Sequence, residues 1–358
     1  MIPVATQEKR PDPAAEPIDR RCWKLLPRRS LFLVLGTYLA LLVISLVVSE
    51  RCNLGFRHPQ WRMKQLAVLF DDAARNGSDI VYLGTSRMMA GVIPMEVDRA
   101  YAALKPGGTM RGHNLGVELC DWTMMYALLC RYLATAATGP RVVLVEVGMI
   151  DANRSQHRLL RNVARPQEVL DFLEEWTLLQ SVELMFAVLG RGPQDLVGAA
   201  FCSKADARAV LGHAGWVLQT GAVGVSVSNK EAVLRLSLED VLGKRARMSM
   251  DNEEIFGMPR RILKRIAARC EERGIRLLLV HVPHFKEPRL SQSRFDYLNT
   301  QGELLEPDYP TLYRPELFHE AVHLNEQGAV ELSLEIGRYL AGERWPTVEE
   351  WLAGRDAR

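Results

Sequence analysis

No Cys-x-x-Cys pair, zinc-ligand spacing, Walker A loop or complete Gly-x-Gly-x-x-Gly fingerprint occurs in the 358 residues. The usual sequence signatures of a structural zinc, a redox dithiol, a nucleoside triphosphate and a dinucleotide are therefore missing. An excess of one charge is missing too. Lys and Arg number 45 against 43 Asp and Glu, a net charge of +2, which makes no case for a nucleic-acid partner. No internal repeat is present. The six cysteines, Cys22, Cys52, Cys120, Cys130, Cys202 and Cys270, stand far apart. With 48% hydrophobic and 25% charged residues, the composition is that of a folded protein with one large or two moderate domains.

Long apolar runs are scarce, and one lies near the N-terminus. Residues 1–29 form a polar tail rich in Pro, Arg and Glu, ending in Arg20, Arg21, Lys24, Arg28 and Arg29. Leu31 to Val48 then carries no charge. As a helix it reaches about 27 Å, close to a bilayer core. A cleaved signal peptide or a buried helix are the alternatives. The run is longer than a signal-peptide core, and no Ala-x-Ala site follows it. The expectation is an uncleaved single-pass anchor over 30–49. The preceding basic cluster places the N-terminus in the cytoplasm and the main domain outside the inner membrane. Five cysteines then face that side, an odd number that leaves at least one free or paired between chains. Residues 50–78 read as a membrane-proximal helix and linker.

From residue 79 strand and helix patterns alternate. Ile80–Leu83, Arg141–Val147 and Ile275–Val282 are short, near-continuous apolar runs, the pattern of parallel strands covered on both faces. Helical patterns cover Pro94–Leu104, Asp121–Ala134, Pro259–Arg273 and Ala329–Leu340, and a short strand or loop lies in Thr109–Leu115. The fold class is α/β, a parallel sheet with helices on both faces. Residues 155–250 break the rhythm with helical patterns such as Gln167–Leu189 and read as a helical insertion. Trp176–Leu189 is apolar but too short for a span, so a core helix or an interfacial contact is expected. Phe285–Glu316 reads as a long polar loop, and 343–358 as a C-terminal tail.

The chemistry gathers where the first strand ends. Asp79-Ile80-Val81-Tyr82-Leu83-Gly84-Thr85-Ser86-Arg87 places Ser86 where a strand hands over to a helix. The carboxyl end of a parallel strand is where open α/β sheets bind ligands, and the following helix offers free N–H groups to negative charge. The plainer reading is a turn with Thr85 or Ser86 as N-cap. A nucleophilic serine needs a base, a residue to orient that base and oxyanion donors. His323 is the candidate base, and Glu320, three residues earlier, is the candidate orienting acid.

Gly84-Thr85-Ser86-Arg87, Asn114-Leu115-Gly116 and Glu320-Ala321-Val322-His323-Leu324-Asn325, in that order before a terminal helix, resemble the blocks of the SGNH (GDSL-type) hydrolase superfamily. The likeness is to its membrane-anchored bacterial branch, which includes proteins of exopolysaccharide O-acetylation and teichoic-acid D-alanylation. It covers residues 79 to about 342 without the insertion. It implies a three-layer α/β/α, flavodoxin-like parallel sheet. It implies Ser86 as nucleophile, His323 as base, and the Ser86 and Gly116 amides as oxyanion donors. Apart from the resemblance, Arg87 and Asn114 are the candidate substrate-binding residues, with Arg87 either binding an anionic group beside the nucleophile or solvating a helix start. No cofactor or metal is implied. The implied partners are an acylated carbohydrate polymer, a membrane O-acyltransferase and, through residues 31–48, the membrane.

Two positions depart from the family pattern. Glu320 stands where the family has Asp. After the second strand the chain reads Gly148-Met149-Ile150-Asp151-Ala152-Asn153, with Ile150 where an oxyanion Asn is expected. Asn153 is the substitute available from a different backbone position. The function implied is that of a serine esterase or acyltransferase on acyl esters of an envelope or exported polysaccharide. A catalytically degenerate member holding partners in an envelope complex is the alternative, and a lipid-directed hydrolase a weaker third. His281 and His284 at the third strand's end are site residues or satisfied loop histidines. Asp121-Trp122 lines a sugar pocket or belongs to the core.

Overall fold

The computed structural model describes residues 28–51, 61–118, 120–147, 157–172, 178–201, 207–212, 214–216, 253–282, 285, 292–305, 314–319 and 323–343. Among them are five strands and twelve α-helices. The strands are β1 (Ile80–Leu83), β2 (Gly112–Asn114), β3 (Val142–Val147), β4 (Arg276–His281) and β5 (Glu303–Leu305). They form one sheet in the order β2-β1-β3-β4-β5, and every pairing is parallel. In register, Val81 stands level with His113 on one side and Val143 on the other, and Val143 with Leu277.

Strand alternation splits the buried side chains into two cores. Val81, Leu83, Val143, Val145, Leu277 and Leu279 face one way. They meet α2 (Trp61–Asn76), α5 (Trp122–Thr135) and α10 (Glu253–Glu271) through Phe70, Met125, Leu129, Ile262 and Ile266. Ile80, Tyr82, Val142, Leu144, Leu278 and Val280 face the other way. They meet α3 (Ser86–Gly91), α4 (Pro94–Leu104) and α12 (Glu326–Leu340) through Met88, Val97, Leu332 and Ile336. Each such aliphatic side chain, fully buried, contributes about 1.5–3 kcal/mol before ordering costs. Helices on both faces of a parallel sheet are compatible with a three-layer α/β/α arrangement.

Local chemistry sets the helix starts. Pro94 occupies the first turn of α4, where its missing N–H costs nothing. Asp121 caps α5 by accepting from the Met124 N–H at 2.8 Å. Asn325 caps α12 by accepting from the Gly328 N–H at 3.0 Å. At Gly337 a Cβ would lie 2.5 Å from the Val97 carbonyl oxygen, so glycine lets α12 lie close on α4.

One expectation needs correcting. The stretch Phe285–Glu316, read as a long loop, contains α11 (Gln292–Gln301) and the edge strand β5. In the helical pattern Gln167–Leu189 the described residues form α7 (Pro166–Phe172) and part of α8 (Leu178–Phe201), with 173–177 outside the described residues. With α6 (His157–Val163) and α9 (Ala207–Gly212) these are the described helices of the 155–250 region. Arg191 of α8, 1% exposed, donates to the carbonyls of Arg161 and Ala164 and ties α8 to the end of α6.

α1 (Arg28–Arg51) packs against α8 and exposes Phe32, Leu33, Leu35, Leu39 and Ile44. Among the described residues no helix is long and apolar enough to cross a membrane. Leu31 and Val34, inside the apolar run, have side chains outside the described residues. Cys120, Cys130 and Cys270 are buried free thiols. Cys22, Cys52 and Cys202 lie outside the described residues, as do the tails 1–27 and 344–358.

Candidate active site

β1 ends at Leu83, and Gly84-Thr85 turns the chain into α3, whose first residue is Ser86. Thr85 is the N-cap, accepting from the Arg87 N–H at 3.2 Å. β2 lies on one side of β1 and β3 on the other, so the turn opens at the carboxyl edge where the strand order reverses.

The second half of the site comes from the far end of the chain. A one-turn 3₁₀ helix, Pro315–Leu317, leads to an antiparallel bridge between Phe318 and Leu324. The His319 N–H donates to the His323 carbonyl at 2.9 Å. Asn325 fixes the chain after the bridge: its N–H donates to the Leu317 carbonyl and its side-chain amide to the Glu316 carbonyl. This stretch delivers His323 to Ser86, with Nε2 2.8 Å from Oγ across 237 residues of sequence. The distance is that of a hydrogen bond between a hydroxyl and its base. His323 is 9% exposed and Ser86 is partly exposed.

The other expected residues divide. Glu320, Asn153 and Ile150 lie outside the described residues, as does His284. Arg87 and Asn114, expected beside the substrate, are instead committed inside the protein. Arg87, 3% exposed, pairs with Glu146 of β3 at 2.7 Å and donates to the Val282 carbonyl. Asn114 is fully buried, and its amide braces α3 by donating to the carbonyls of Met88 and Val92 at 2.9 Å each. Its Oδ1 accepts the Gly116 N–H at 2.9 Å. The amide expected to be a second oxyanion donor is therefore occupied. A glycine is needed at 116 for a packing reason, since a Cβ there would lie 2.6 Å from the Met89 nitrogen.

Ser86 keeps its own amide. Among the described residues the Ser86 N–H has no acceptor, while those of Thr85, Arg87 and Met88 each have one. It is the one amide of this turn left to face developing negative charge.

Three further residues shape the site without having stood out in the sequence. Glu146, the lone charge in the strand Val-Val-Leu-Val-Glu-Val, is fully buried behind the turn. A charge in an otherwise apolar buried strand demands partners, and that was its readable signal. Arg62 of α2, 1% exposed, donates to the carbonyls of Gly116, Asn114 and Gly215. Burial lowers its pKa to about 9, against the attraction of Glu118. Trp216, from the insertion, donates to the Ala90 carbonyl of α3 at 2.8 Å. Trp122 belongs to the core, and Asp121 caps its helix. His281 ends β4 level with Val147, buried.

Among the described residues no His, Cys, Asp and Glu come together as a metal-holding group. A serine with a histidine at hydrogen-bond distance and, among the described residues, one free amide has the makings of nucleophilic acyl chemistry. No protein-family model matches the chain, and no curated protein matches it.

Proposed function

We propose that the protein is a membrane-anchored, SGNH-like serine esterase or acyltransferase acting on acyl esters of a cell-envelope or exported polysaccharide. The contact between Ser86 Oγ and His323 Nε2 carries this reading. The strand order β2-β1-β3-β4-β5 and the place of Ser86 after β1 support the SGNH-like fold. In this reading His323 takes the Ser86 proton as Oγ attacks the ester carbonyl. The tetrahedral oxyanion faces the Ser86 amide, and the protonated His323 returns its proton to the departing alcohol. The acyl-enzyme then passes its acyl group to water or to a sugar hydroxyl. Glu320 orients His323, and Asn153 is the candidate further oxyanion donor. Residues 31–48 anchor the chain in the inner membrane, N-terminus inside.

Labelling of the full chain with a serine-reactive fluorophosphonate tests it. Wild type is expected to label, and Ser86→Ala and His323→Ala to lose the label. Equal labelling of wild type and Ser86→Ala defeats the proposal.

One observation favours the second reading, a catalytically degenerate protein that holds partners such as a membrane O-acyltransferase. The Gly116 amide is spent on Asn114, which leaves the turn a single donor among the described residues. Losing one donor typically costs about 2.7–4 kcal/mol of transition-state stabilisation. A stable complex with the acyltransferase that survives Ser86→Ala, in a chain that never labels, would select this reading.

A further inference from the structure

Behind the Ser86 turn, a single carboxylate gathers most of the available donors. Glu146 Oε2 accepts the Thr85 N–H at 2.7 Å and the Met88 N–H at 3.3 Å. The Thr85 hydroxyl lies 3.0 Å from both carboxylate oxygens. Oε1 meets the Arg87 guanidinium at 2.7 Å, with both side chains almost wholly buried. Gly84 makes room for this: a Cβ there would lie 2.5 Å from Oε2.

We propose that Glu146 is the positioning residue of the nucleophile turn, and that Arg87 is its charge partner. This rests on the reading of Ser86 as a nucleophile. By taking the amides on either side, at 85 and 88, Glu146 fixes the turn so that the Ser86 amide alone points free, with Oγ held against His323. A bare carboxylate this close would oppose an oxyanion at Ser86. Arg87 cancels that charge, so the carboxylate orders the turn without an electrostatic penalty on the reaction. The three-residue spacing Gly84-Thr85-Ser86 then has one cause: space for the carboxylate, a hydroxyl and amide to grip it, and the residue thereby aimed.

Full-length protein in detergent, reacted with a fluorophosphonate over a range of concentrations, separates the maximal inactivation rate from the half-saturating concentration. Glu146→Gln is expected to lower the maximal rate about 100-fold, the typical cost of a misplaced reacting group, with the half-saturating concentration unchanged. Hydrogen exchange at the Thr85 and Met88 amides should quicken in the same variant. Thr85→Val keeps the ion pair and removes one hydroxyl, so it serves even if Glu146→Gln does not fold. Its expected loss is at least about tenfold in the same rate, that of one hydrogen bond to a charged group. Wild-type rates in folded Glu146→Gln, or in Thr85→Val, overturn the positioning role while Ser86 still labels. A wild-type chain that takes no label overturns the serine reading instead, before any variant is made.

Discussion

At the residue scale, burial makes several side chains behave unlike their free forms. Asp121 is the clearest. Desolvation raises its carboxyl pKa to about 6, although backbone N–H groups, that of Met124 first among them, favour the charged form. Between about pH 4 and pH 6 the folded state keeps a proton that the unfolded chain has released. This group's contribution to stability therefore falls as pH rises through that window. In Asp121→Asn, which keeps a capping oxygen, the thermal midpoint should lose this downward component; parallel curves for variant and wild type would contradict it. The cysteines follow the same physics. Burial pushes Cys130 up to about 11 and Cys270 up to about 12, with Cys120 also raised. A thiol reacts as its thiolate. Native protein at pH 8 should leave these three unalkylated by iodoacetamide, and denaturant should expose them, as peptide mass spectrometry would read.

Elements show why part of the fold was legible in the sequence. β1 is an unbroken apolar run and β3 one interrupted only by Glu146, and α4, α5 and α12 open on Pro94, Asp121 and Asn325, so local chemistry marks them. β5 has three residues, Glu303-Leu304-Leu305, which pair with β4 through the backbone and through the Glu303–Arg276 ion pair; no periodicity survives at that length. Ser86 and His323 were legible because each sits at an element boundary. What surrounds them was not. That Asn114 takes the Gly116 amide is a local Asx-type contact that the sequence permits without requiring, and that Arg87 turns to Glu146 depends on a contact across 59 residues that no spacing rule encodes. Glu146 itself was hidden by its neighbours, a charge read as part of an apolar strand. The tight approach of Gly116 to α3 yields its own prediction. Gly116→Ala must push a Cβ into the Met89 backbone and should cost about 1–3 kcal/mol, read as a lower denaturation midpoint. An unchanged midpoint would mean that α3 shifts freely.

For the whole molecule, the arrangement links the apolar N-terminal segment to the site through few steps. α1 packs against α8 of the insertion, and the insertion reaches α3 through Trp216. From α2, Arg62 grips Asn114, Gly116 and Gly215 together. Arg62→Met should therefore loosen both the second block and the insertion at once, seen as faster hydrogen exchange near Asn114 and near Gly215. Exchange changed at one place alone would show that they are independent. If residues 31–48 anchor the chain, the full-length protein should remain in the membrane fraction after an alkaline carbonate wash, and deletion of 31–48 should release it.

The distance in sequence between the serine and its histidine is also a delay. A ribosome adding about 5–20 residues per second needs roughly 10–50 seconds to travel the 237 residues from Ser86 to His323. Throughout that interval the serine is an ordinary alcohol with no base beside it. On the proposed reading the chain becomes reactive only when α12, which follows His323, has been made and has docked, so a truncated or half-folded copy carries no armed nucleophile.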